Sequence, residues 1–228
     1  MKPVYFPPHH YANEDGLLCI SEVVTLELLI DAYSHGIFPW PTGDPEDPIP
    51  WATPDPRPII PFEDFHVPRR LERTLRSGKF EVTCDKDFAA TISAASRIHN
   101  QQSDGTWITP ELIAAYCEFH EAGFAHSVEV WREGKLVGGI YGVAIGAAFS
   151  AESMFYIERD ASKVALVHLV RMLQQCGFVL FDVEQLTPQI QRFNAIEIPR
   201  EEFLQRLEAA KSILTQKLPK VLSYEYKR

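Results

Sequence analysis

The chain has 228 residues, 46% of them hydrophobic and 23% charged, with a net charge of −9. That is enough for one large domain or two small ones with a real core, and it excludes a disordered chain. No apolar run is long enough for a membrane span, and the first residues are rich in proline and histidine rather than apolar, so a cytoplasmic location without a membrane partner is expected.

In chain order, Ser21 is expected to cap a helix over 22–35, with Gly36 as its stop. Eight of the seventeen prolines then fall between Pro39 and Pro58, which rules out regular helix or an inner strand. This reads as an ordered loop pinned by Trp40 and Trp51. The two indoles either plug the core or form a wall of a binding site.

Pro68 and Gly78 bracket a basic helix carrying Arg69, Arg70, Arg73 and Arg76, with Lys79 just beyond. Positions 69, 73 and 76 share one face and Leu71 and Leu75 another. Such a stripe is either a solvated face or a local polyanion site on an otherwise acidic chain.

A strand over 80–84 and a helix over 87–99 follow. Thr109 caps the next helix, with Pro110 at its first position and Ile113, Tyr116, Cys117 and His120 on its buried face. Three strands are expected at 125–132, 136–145 and 148–155, the first two joined by a turn at Glu133-Gly134-Lys135. Gly138, Gly139, Gly142 and Gly146 mark a bulge or a close backbone approach. Ser162 is expected to cap a helix ending at Cys176, followed by a parallel strand over 178–184 and a helix over 201–211.

Cys19, Cys84, Cys117 and Cys176 form no C-x-x-C pair, and the eight histidines show no metal-ligand spacing. Free thiols, structural histidines such as His120 and His126, no metal and no cofactor are expected.

The strand–strand–strand–helix–strand order resembles the core of the GCN5-related N-acetyltransferase (GNAT) superfamily, an α+β fold. Those enzymes hold the CoA pyrophosphate on a glycine-bearing loop, Q/R-x-x-G-x-G/A. The matching segment here, ERDASKVAL, has no glycine, so CoA is not expected as the donor.

A narrower resemblance is carried by G-I-F-P-W at 36–40, W-A-T-P-D-P-R at 51–57, G-T-W-I-T at 105–109 and H-S-V-E-V-W at 126–131. It continues in L-V-G-G-I-Y-G-V at 136–143, E-S-M-F at 152–155, A-S-K at 161–163 and E-I-P-R at 197–200. By these stretches the chain resembles the leucyl/phenylalanyl-tRNA–protein transferase family.

The resemblance implies transfer of leucine or phenylalanine from aminoacyl-tRNA, with methionine as a further candidate donor. The acceptor is the α-amine of a protein beginning with Arg or Lys, which feeds N-degron proteolysis. A monomer is expected, and the resemblance implies a small N-terminal α/β domain, made of a proline/tryptophan segment (1–64) and the basic-helix region (65–100). A GNAT-like catalytic domain (101–228) follows.

The resemblance places Asp182, Glu184 and Glu152 at the reacting centre. Family members typically carry Asp-x-Gln where this chain reads Asp182-Val183-Glu184, with both acids on one face of a strand. Three adjacent carboxyls would push at least one pKa upward. Ile140, Phe149 and Phe181, with Met154 nearby, match the aminoacyl pocket. Trp51, Trp107 and Tyr116 match contacts to the terminal adenosine. Arg69, Arg70, Arg73, Arg76 and Lys79 would hold acceptor-stem phosphates.

Ester aminolysis needs no covalent enzyme intermediate, and no G-x-S-x-G, Walker loop or H-E-x-x-H is present. The competing readings are an N-acyltransferase using CoA and a non-catalytic adaptor for basic N-termini.

Overall fold

The computed structural model describes residues 5–44, 46–102 and 106–219; Gly105 of the G-T-W-I-T stretch lies outside them. The elements are β1 (Leu17–Ser21), α1 (Leu26–Ser34), β2 (Phe38–Pro39), β3 (Ile49–Ala52), β4 (Arg57–Ile59), α2 (Arg69–Arg76), β5 (Glu81–Cys84), α3 (Phe88–Gln102) and α4 (Pro110–Glu121). They continue as β6 (Ala125–Arg132), β7 (Lys135–Ile145), β8 (Ala148–Tyr156), α5 (Ala161–Cys176), β9 (Leu180–Asp182), α6 (Pro188–Gln191), β10 (Ile196–Ile198) and α7 (Arg200–Lys211).

The fold is α+β. A seven-stranded sheet runs β10-β4-β9-β8-β7-β6-β5, and a small sheet runs β1-β3-β2. Strands β5 to β8 form an antiparallel meander, and α5 returns the chain so that β9 lies parallel to β8. The expected GNAT-like order is therefore present. Both β4 and β5 belong to the large sheet, so that sheet runs across the boundary expected near residue 100.

The side-chain alternation of β7 feeds two cores. Ile140 packs with α5 and α2 on one face; Tyr141 and Val143 pack with α1, α3, α4 and the small sheet on the other.

Several boundaries differ from the sequence-based expectation for local reasons. Helix α1 starts later, because Thr25 rather than Ser21 caps it: the Thr25 hydroxyl accepts the Leu28 N–H at 3.2 Å. Ser21 instead ends β1 and receives the Trp51 indole N–H at 2.9 Å. The buried face of α4 is Leu112, Ala115, Tyr116 and Phe119, not Ile113, Cys117 and His120. Helix α5 begins at Ala161 after Asp160 in a left-handed conformation (φ 68°), and Ser162 lies inside the helix. Gly138 is what lets β7 meet that helix start, since a Cβ there would lie 2.5 Å from the Ala161 Cβ.

The β6–β7 turn is the two-residue Glu133-Gly134, both at positive φ (51° and 73°), as the twist of a tight hairpin requires. Strand β9 stops at Asp182, so Glu184 is not on the strand. It sits in the following turn at φ 56°.

The histidines are less scattered than their spacing suggests. Asp85, His120 and His126 come close enough to share one cation. Their hydrogen bonds are committed to the fold: His126 Nδ1 to Asp85 at 2.7 Å, His120 Nδ1 to the Ala125 carbonyl at 2.7 Å, and the Ser127 N–H to Asp85 at 2.9 Å.

Candidate active site

A cavity of about 590 Å³ opens between β8, the turn after β9, α5, α6 and the β2 loop. This is the size range of small-molecule sites. Ile140, Met154, Leu166 and Ile190 give it apolar wall; Trp40 and Trp107 give it aromatic wall; Glu152 and Glu184 supply the carboxyls.

Beneath these acids lies a buried ion pair. Arg57 Nε and Nη2 donate to the two Asp182 oxygens at 2.9 and 2.6 Å, with both residues 1% exposed. The guanidinium is clamped between the rings of Phe38 and Phe203, 4.6 and 4.7 Å from their centroids. Asp182 also accepts the Ser150 hydroxyl and the Glu184 backbone N–H, each at 3.0 Å. Four donors thus occupy the Asp182 carboxylate, which does not itself line the cavity. It fixes β4, β8 and the Glu184 turn relative to one another.

Glu152, partly buried on β8, accepts two phenolic hydrogen bonds, from Tyr33 on α1 at 2.5 Å and from Tyr116 on α4 at 2.9 Å. The two phenol oxygens also touch, but with each proton donated to Glu152 they share no hydrogen bond of their own. Burial pushes the Glu152 carboxyl up to about 7, against the pull of both phenols toward the ionised form. Burial likewise drives Glu184 well above the usual carboxylate range, and the neighbouring Glu152 and Asp182 charges add to it. The arrangement can therefore accept one proton near neutral pH and hold a cationic amine against a nearby carboxylate.

The sequence-assigned residues separate into three groups. Glu152, Glu184, Ile140, Met154 and Trp107 line the cavity. Phe149 and Phe181 are fully buried behind it, in the same core cluster as Ile140, with ring centroids 6.1 Å apart. Trp51 and Tyr116 offer no stacking face: both are 0% exposed, Trp51 in the small-sheet core and Tyr116 under Glu152. Trp40, 41% exposed, takes the place in the wall that Trp51 does not.

The basic helix also divides differently. Arg70, Arg73 and Lys79 gather with Arg159 around one shallow groove, whereas Arg69 faces another groove with Arg171. Arg76 is exposed beside Glu72. Helix α2 keeps 69, 73 and 76 on the side opposite the buried Leu71 and Leu75, and Arg159, from the β8–α5 turn, adds a fourth cation to the groove of 70, 73 and 79.

Sequence reasoning missed Arg57, Tyr33, His99 and Arg159. Arg57 carried a usable signal, a charged residue opening the apolar run R-P-I-I-P-F. Tyr33 carried none.

Two family models match the chain: the leucyl/phenylalanyl-tRNA protein transferase model over residues 59–208 and the model of that enzyme's N-terminal domain over 23–55. A leucyl/phenylalanyl-tRNA–protein transferase of Solidesulfovibrio magneticus is 50% identical over 206 residues, covering 90% of this chain and 83% of its own. Those of Nitratidesulfovibrio vulgaris (48% over 205 residues; 90% and 87%) and Syntrophobacter fumaroxidans (43% over 220 residues; 96% and 90%) are similar to it over comparable lengths. The chain belongs to the leucyl/phenylalanyl-tRNA–protein transferase family.

Proposed function

We propose that this chain transfers leucine or phenylalanine from aminoacyl-tRNA to the α-amine of proteins beginning with Arg or Lys. It does so as a monomer in the cytoplasm, and its products enter N-degron proteolysis. The observation that carries this is that Glu152 and Glu184 open onto the same cavity as Ile140, Met154, Leu166 and Trp107.

The aminoacyl side chain occupies the apolar wall, with Phe149 and Phe181 as its backing layer. The terminal adenosine lies against Trp107 and Trp40, and the acceptor stem follows the groove of Arg70, Arg73, Lys79 and Arg159. Arg69 and Arg76 contribute to the field around the stem without direct contact.

The donor ester is already activated, so the protein has to position an amine. A terminal α-ammonium has a pKa of about 8 and surrenders one proton to Glu152. The neutral nitrogen attacks the ester carbonyl. Its second proton passes to the departing 3′-oxygen as the new C–N bond becomes an amide and the C–O bond breaks. Holding the reactants in register contributes up to roughly 7–11 kcal/mol. A CoA donor is disfavoured by the lack of glycine in ERDASKVAL, where a phosphate loop would lie.

The test is to incubate the protein with leucyl-tRNA and a peptide beginning with Arg, and to look for the Leu-Arg product by mass spectrometry. A protein that binds the peptide without extending it is the non-catalytic adaptor instead.

A further inference from the structure

We infer that Glu184 is held as a neutral carboxylic acid and donates its O–H as a hydrogen bond to the ester carbonyl oxygen while that oxygen gains negative charge. The inference rests on the transfer reaction proposed above.

Glu184 lines the cavity yet is only 8% exposed, and its Oε1 is buried with no hydrogen-bond partner. An ionised carboxylate in that position would have an unsolvated, unpaired oxygen; the acid form removes the charge. Its backbone is fixed at φ 56° with the N–H on Asp182, which aims the side chain inward rather than to solvent.

Glu152 is the better place for the negative charge, because each of its oxygens accepts a phenolic O–H. Of the two facing carboxyls, Glu152 is thus the anion and Glu184 the acid.

The remaining groups around Glu184 agree. Asp182 on β9 and Glu152 on β8 disfavour a further charge, and Arg57 on β4 favours one but is committed to Asp182. Tyr33, Tyr116 and Tyr141, on α1, α4 and β7, are held in the phenol form by burial. His99 on α3 lines the same cavity, and burial lowers its pKa toward the neutral ring.

Before substrate engages, Glu152 is the acceptor for the Glu184 O–H. When the α-ammonium engages Glu152, that O–H turns to the ester. No bond to substrate forms or breaks at Glu184; its hydrogen bond strengthens as the carbonyl becomes an oxyanion. Donors of this kind contribute roughly 10²–10³ in kcat.

Two measurements test this. The first is difference infrared spectroscopy of the wild-type protein against Glu184→Gln at pH 7, without substrate. Loss of a protonated-carboxyl band in the variant is expected; no such loss overturns the inference, whether or not transfer occurs.

The second is the pH dependence of single-turnover transfer. The acid form is present below the Glu184 pKa and lost as pH rises through it, so the wild-type rate should fall on the alkaline side. Glu184→Gln carries an uncharged donor at every pH and should lack that fall, while Glu184→Ala should lose roughly 10²–10³-fold. Superimposable alkaline limbs for wild type and Glu184→Gln overturn the inference. Absence of any transfer by the wild type, with the infrared band present, refutes the transfer reading instead.

Discussion

Arg57 and Asp182, 125 residues apart, meet through two hydrogen bonds of 2.9 and 2.6 Å in the interior, with the guanidinium held between the rings of Phe38 and Phe203. Their contact ties the end of the proline-rich segment to the last strand before the reacting turn. Arg57→Ala or Asp182→Asn leaves a buried charge unpaired and should cost about 3–5 kcal/mol in urea unfolding. Arg57→Lys should not rescue it, because an ammonium cannot make the bidentate contact or fill the slot between Phe38 and Phe203. Wild-type stability in the lysine variant would contradict that structural role.

The two phenols on Glu152 predict a directional pH effect. Each O–H favours the ionised form, so Tyr33→Phe or Tyr116→Phe should raise the Glu152 pKa further. The acid limb of the transfer-rate profile then moves to higher pH in both variants. An unmoved limb would remove Glu152 from proton acceptance.

Stability should respond to pH with a defined sign. Glu152 and Glu184 bind protons more tightly folded than unfolded. Their contribution is fully present below the unfolded carboxyl pKa of about 4.3 and is lost as pH rises through the folded values. Glu184→Gln removes an acid that keeps its proton in the fold but ionises when unfolded, so it should be more stable than wild type at pH 8 by about 1–3 kcal/mol. The difference should shrink near pH 4. A gap independent of pH would show that Glu184 has an ordinary carboxyl pKa.

The regrouped arginines predict an unequal salt response. Replacing Arg70, Arg73 and Arg159 with Ala should lower the salt slope of tRNA binding by about 2–3, since each phosphate contact contributes roughly 0.7–0.9. Replacing Arg69 and Arg76 should change it by less than one contact. Equal slopes for the two variants would dissolve the groove as the phosphate track.

Much of this was legible in the residues. The β6–β7–β8–α5–β9 order followed from alternation, the turn at Glu133-Gly134 and the helix stop at Gly177. The family stretches marked Glu152, Ile140, Met154 and Trp107, and Glu184 stood out where the family carries Gln; all five line the cavity. What failed depended on tertiary placement. Trp51 and Trp40 look alike in a proline-rich loop, and only the pairing of β3 with β1 and β2 buries the first and leaves the second in the wall. Asp182 and Glu184 read as one strand face because nothing local announces that β9 stops after three residues. The Arg57–Asp182 pair and the Tyr33 contact span 125 and 119 residues, beyond any local period.

The most direct measurement is a crystal structure of the protein with an amide-linked leucyl-adenosine that cannot react. The leucyl side chain should lie among Ile140, Met154 and Leu166, the adenine against Trp107 or Trp40, and the carbonyl oxygen within hydrogen-bond reach of Glu184. Binding outside this cavity, or with the leucyl group turned away from Glu152 and Glu184, would contradict a shared site for the aminoacyl group and the incoming amine.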